Sequence, residues 1–155
     1  MAGRFRYYLR VRYGECDAQK VVFNARYADY VDIAGSEFIR AAGFGEALTA
    51  AVIDYQVVRL TIEWKGPARF DQVLEISVWA SRLGTTSFTL AMEFRIAGTE
   101  AVIATAETIL VMVDHATLQK VTLPEDFKAA LEAGAAGVVT DHAGYGARAE
   151  GATAG

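Results

Sequence analysis

Apolar residues recur with a period of two through most of this sequence, and with the 3.6-residue period of a helix in one long stretch. That contrast constrains the fold more than any other feature. A strand shows alternate residues to one face, whereas a helix shows every third or fourth. In residues 4–13, Phe5, Tyr7, Leu9, Val11 and Tyr13 fall on one face and Arg4, Arg6, Tyr8, Arg10 and Arg12 on the other. The arginines of that face either meet phosphates or face water. Residues 52–64, 73–83, 85–96 and 101–113 read as further long strands from alternation and from β-branched and aromatic content. Residues 14–25 break the pattern and form a loop. A helix follows from about Arg26 to Ala42, with Tyr27, Tyr30, Val31, Ala34, Phe38 and Ala41 as its apolar stripe. Asn24 is the expected N-cap and Gly43 the expected left-handed stop. Leu123-Pro124-Glu125-Asp126 opens a second, short helix.

One long helix against about five antiparallel strands gives an α+β domain over residues 1–132, with the helix on one face of a curled sheet. The tail, residues 133–155, is mostly alanine and glycine and has little to bury; it reads as a flexible appendage or else as a segment that packs on something. Long open strand edges favour self-association.

The rest of the composition narrows the chemistry. One cysteine, Cys16, makes no internal disulfide and no Cys-rich zinc site. His115 and His142 stand far apart and form no metal-binding spacing. A net charge of −4 argues against a nucleic-acid binder. No apolar run approaches the roughly 18 residues a membrane span needs, and the N-terminus lacks the apolar core of a signal peptide. The expectation is a soluble protein of a reducing compartment, the cytoplasm, with no metal or other cofactor and a carboxylate as its acid/base group.

The informative stretch runs from Tyr13 to Tyr27, with Asp17 in a loop seven residues before a helix start. Amides at a helix start are unpaired and carry the positive end of the dipole, so they can stabilise an oxyanion. A carboxylate beside them can attack directly or act as base on water. An aspartate at such a position equally serves as a turn or cap residue.

Here the chain resembles the 4-hydroxybenzoyl-CoA thioesterase family of hotdog-fold proteins. The resemblance is carried by Tyr13, Glu15, Asp17, Val22, Tyr27, Tyr30 and Asp32, then by Pro67-Ala68-Arg69-Phe70-Asp71, Thr86-Ser87-Phe88, Val113-Asp114 and Leu123-Pro124. It covers about residues 5–132. It implies a long central helix wrapped by an antiparallel sheet that continues across a dimer, in homodimers or homotetramers with sites at subunit interfaces. It implies hydrolysis of an acyl-CoA thioester to CoA and a carboxylic acid without a metal. Asp17 aligns with the catalytic carboxylate, and Asn24 with the position whose backbone amide polarises the thioester carbonyl. Where the family usually has glycine this chain has Lys20, which must adopt an unusual backbone angle or reshape the loop, and whose ammonium would line the entrance.

Phe23, Tyr27, Tyr30 and Trp64, with Val22, are candidate walls of an acyl pocket, as well as ordinary core residues. Arg59, Arg69 and Arg82 with Thr85, Thr86 and Ser87 are candidate contacts to CoA phosphates, or else exposed strand arginines and a hairpin. A hydratase on the same fold would need a histidine in the central-helix region, and none precedes His115. The competing class is a non-catalytic acyl-CoA-binding or regulatory module, favoured only by Lys20.

Overall fold

A computed structural model describes residues 3–146. Residues 147–155 of the expected tail, and the first two residues of the expected domain, lie outside the described residues. The chain runs β1 (Phe5–Arg10), a 3-10 turn (Tyr13–Glu15), α1 (Arg26–Ile39), a π-turn (Arg40–Phe44), α2 (Gly45–Thr49), β2 (Asp54–Trp64), β3 (Val73–Leu83), β4 (Ser87–Ile96), β5 (Val102–Val113), α3 (Glu125–Ala133) and β6 (Val139–Asp141). The strands form one curved sheet in the order β2-β5-β4-β3-β1-β6. All pairings are antiparallel except β1 with β6. This is the hotdog arrangement, with one strand more than the five expected. The sixth, β6, comes from the alanine- and glycine-rich tail.

The α1 stripe meets the sheet as its periodicity requires. Tyr27, Tyr30, Val31, Ala34, Phe38 and Ile39 are buried against Phe5, Leu74, Ile76, Val78, Leu90, Met92 and Phe94. Gly35 brings the helix backbone down on the sheet: a methyl there would sit 3.5 Å from Leu90 Cδ1 and 3.6 Å from Met92 Cε. Gly43 turns left-handed at φ 101° and ends the straight run. Phe127 of α3 closes one end of the core against Phe44 and Phe88, with ring centroids 5.1 and 5.4 Å apart.

Register shifts reconcile the strand sequences with the pleat at three places, the last between Phe94 and Arg95 where β4 pairs with β5. Pairing of β2 with β5 slips between Val57 and Arg59, and that of β3 with β4 between Ala80 and Arg82. The first bulge keeps Tyr55, Val57, Leu60, Ile62 and Trp64 on one face, opposite Met112, Leu110, Thr108, Ala106 and Ala104. Helix α1 leaves part of that face open, so Val57, Leu60 and Trp64 remain exposed on an edge strand.

Candidate active site

The Asp17 loop is a small hairpin. Cys16 bridges Val22, the Asp17 N–H donates to Val21 O (2.9 Å), and the Lys20 N–H closes the turn on Asp17 O (2.9 Å). Lys20 takes φ 61°, the left-handed conformation that glycine adopts freely, so the turn forms with lysine in place. Asp17 Oδ1 accepts the Gln19 N–H at 2.8 Å and the Val21 N–H at 3.5 Å. Its Oδ2 has no protein donor among the described residues. Asp17 therefore holds a turn with one oxygen, as the bland sequence reading allows, and leaves the other free at the surface.

A second loop frames the hairpin. The Val22 N–H donates to Ala68 O (2.9 Å), the Phe70 N–H to Lys20 O (3.0 Å), and Val21 bridges Arg69. From below, buried Tyr30 of α1 donates its hydroxyl to Glu15 Oε1 (3.1 Å), which also accepts the Arg12 N–H (2.7 Å). Glu15 O accepts the Phe23 N–H (3.0 Å). Burial and the Glu15 charge together raise the Tyr30 phenol far above its ordinary range, so it stays a donor. The sequence signal for this contact is the pair Glu15 and Tyr30 in the motif; Tyr30, expected as a pocket wall, instead holds the Glu15 carboxylate.

After Phe23 the chain enters α1. Ala25 is the N-cap and no side chain caps the helix, so the expectation of Asn24 as N-cap is overturned. The chain already turns at Asn24 and Ala25, and Asn24 contributes its carbonyl, accepting the Tyr27 N–H at 3.2 Å. No protein acceptor among the described residues meets the N–H of Asn24 or Ala25. Those two amides are the orphan donors of a helix start. Beside them Val21, Val22, Asn24, Tyr27, Trp64, Gly66 and Pro67 line an open recess of about 270 Å³. Asp17 faces Val21 across the hairpin. Trp64 packs edge-on to Tyr27 at 6.0 Å.

The remaining candidates scatter within one chain. Val22 and Tyr27 are buried, while Phe23 is exposed. Arg59 lies on β2 opposite Ile109, lining a broad depression with Thr61, Glu63, Trp79 and Glu107 on the sheet face away from α1. Arg82, Thr85, Thr86 and Ser87 stand around the β3–β4 hairpin, at the far end of an 11-residue strand from the Asp17 loop, roughly 30 Å away by strand rise. Thr85 O and Thr86 O are taken by the Leu123 and Met112 amides (2.8 Å each).

Among the described residues nothing beside Cys16 activates its thiol. Burial and the charges of Glu15 and Asp17 raise its thiol, and its Sγ meets Arg12 O at 3.5 Å. No cluster of metal-ligating side chains occurs among the described residues, and no helix is long and apolar enough to cross a membrane.

Comparison with known proteins follows the same outline. Residues 11–131 match the model of the thioesterase-like superfamily. An acyl-CoA thioester hydrolase, YbgC, of Escherichia coli is 33% identical over 127 residues, 81% of this chain and 93% of that one. A solved gentisyl-coenzyme A thioesterase superposes with TM-score 0.72 at 27% identity, covering 81% of this chain and 98% of the other. A hypothetical protein of Aquifex aeolicus superposes with TM-score 0.75 at 26% identity, covering 82% and 98%.

Proposed function

The chain belongs to the thioesterase-like superfamily, and from that premise we propose that it hydrolyses acyl-coenzyme A through Asp17 and the amides that open α1. It is a thioester hydrolase, as its relatives are. One observation carries the assignment of the site. A carboxylate with a free oxygen stands on the hairpin that leads into a helix start whose Asn24 and Ala25 amides have no acceptor.

In this reading the thioester carbonyl sits over the Asn24 amide, where hydrogen bonding and the helix dipole stabilise the oxyanion as it forms. Asp17 drives the attack, by taking a proton from the hydrolytic water or by bonding to the carbonyl carbon itself; in the second case C–S cleavage leaves an acyl–aspartyl anhydride, which water then splits to restore the Asp17 carboxylate. The C–S bond breaks, the CoA sulfur leaves with a proton, and the acyl group leaves as a carboxylic acid. A small, mostly apolar recess of about 50 Å³ between α1 and β2, lined by Ala28, Val31, Asp32, Gly35, Ser36, Tyr55, Val57 and Leu60, is where the first carbons of an acyl group would lie. Two copies pair through β2, which supports a site shared between them. The exposed Val57, Leu60 and Trp64 on an unpaired edge favour this arrangement. The Arg82–Ser87 end of one copy then serves the nucleotide held at the Asp17 end of the other.

The test is thiol release from benzoyl-, butanoyl- and palmitoyl-coenzyme A by the wild type and by Asp17→Asn. The variant should lose turnover by at least about a hundredfold while keeping its melting temperature. Undiminished turnover would sink the assignment.

A further inference from the structure

The superfamily match ends at residue 131, but the chain beyond it folds back on the domain. Strand β6 lies parallel to β1, with Arg6 opposite Val139, Tyr7 opposite Thr140 and Tyr8 opposite Asp141. The next residues grip β1 from both sides. His142 meets Tyr7 on the α1 side, with Nδ1 3.0 Å from the phenol oxygen and the rings edge-on at 5.2 Å. Tyr145 stacks on Tyr8 on the opposite face, with centroids 5.0 Å apart.

Arg10, the last residue of β1, turns this grip into a link. Its Nη2 donates to Ala143 O (3.2 Å). Its Nη1 donates to Asp71 O (2.9 Å) and lies 3.4 Å from Asp71 Oδ1. Asp71 is held at φ 69°, a left-handed backbone that a non-glycine residue keeps only when its surroundings fix it. It ends the 68–71 segment against which the Asp17 hairpin is hydrogen-bonded through Ala68 O, Arg69 and the Phe70 N–H. One guanidinium therefore spans the C-terminal segment and the loop that frames Asp17.

We infer that residues 137–146 are a strap that positions the Asp17 hairpin, and that Arg10 is the positioning residue through which it acts. The catalytic half of this inference rests on the reading of Asp17 given above; the mechanical half does not. The link needs a forked, planar donor, because two separate carbonyls are engaged at once; a lysine ammonium is a point charge on a flexible stem. Geometry held through such second contacts governs rate more than binding, since small misplacements of a reacting group reduce turnover steeply.

The experiment compares the full chain, Arg10→Ala, Arg10→Lys and a chain stopped after Ala136. Amide hydrogen exchange is followed in the peptides covering 16–24 and 66–72. Kinetics use whichever of the three acyl-CoAs named above the wild type turns over fastest. Arg10→Ala and the shortened chain should exchange about tenfold faster in those two peptides while β4 and β5 stay protected. Arg10→Lys should behave like Arg10→Ala. All three should lose about three- to tenfold in kcat with KM within about twofold. If the shortened chain unfolds, Arg10→Ala carries the test alone. Unchanged exchange at 16–24, or a rise spread evenly over the whole chain, would overturn the strap. Faster local exchange with unchanged kcat would overturn the role of Asp17 instead.

Discussion

Lys20 stands where the family's glycine is expected, and its backbone shows how the chain accommodates it. At φ 61° it adopts the left-handed angle without distorting the hairpin, whose Asp17–Lys20 and Phe70–Lys20 hydrogen bonds are both made. A side chain at that angle costs about 1 kcal/mol relative to glycine. Lys20→Gly should therefore stabilise the protein by about 0.5–1 kcal/mol in urea denaturation, the gain reduced by the extra freedom of glycine in the unfolded chain. The non-catalytic reading drew only on Lys20, and the hairpin closes around it. Cys16 gives a second residue-scale prediction. With its thiol raised by burial and two neighbouring carboxylates, Cys16→Ala should keep thioester turnover within about threefold of wild type. It should also remove a site that iodoacetamide labels slowly at neutral pH. A hundredfold loss of turnover would contradict the assignment of the chemistry to Asp17.

At the scale of elements, α1 does two jobs that its apolar stripe alone does not reveal. The two residues that lead into it present the free Asn24 and Ala25 amides, and in its second turn Tyr30 holds the preceding loop through Glu15. Tyr30→Phe removes that donor, while Glu15 Oε1 keeps the Arg12 amide at 2.7 Å. It should lower stability by about 1 kcal/mol and reduce kcat more than it alters KM. A change in KM alone would show that Tyr30 serves binding instead. The strands carry a related lesson. The Val57-Val58 doublet interrupts alternation in the sequence and reappears as the β2 bulge, without which Leu60, Ile62 and Trp64 would turn to the other face. The start of α1 is not legible locally: Asn24 fits the usual side-chain cap, yet the chain turns through Asn24 and Ala25 and no side chain caps the helix.

At the scale of the molecule, one side of the sheet is extended and the other open: β6 lies along β1, and among the described residues no strand pairs with the outer edge of β2, whose inner edge is taken by β5. Pairing of copies through β2 is the arrangement proposed above, and Val57, 53% exposed on that edge, is its probe. Val57→Lys should weaken self-association at least about tenfold in Kd by light scattering across a dilution series; an unchanged mass at every dilution would reject β2 as the contact. The sequence by itself determined β1 to β5, α1, α3 and their antiparallel core, and it singled out the motif around Asp17. Each of these depends on periodicity or on residues close in the chain. The tertiary structure decided what depends on distant pairing. It turned part of an alanine- and glycine-rich tail into a sixth strand, because β1 offered an edge whose backbone groups needed partners. It carried Asp71 and Ala143 to the same guanidinium. It also set the Thr85–Ser87 hairpin at the opposite end of the sheet from Asp17, since strand direction and sheet order follow from packing against α1, and no local pattern encodes them.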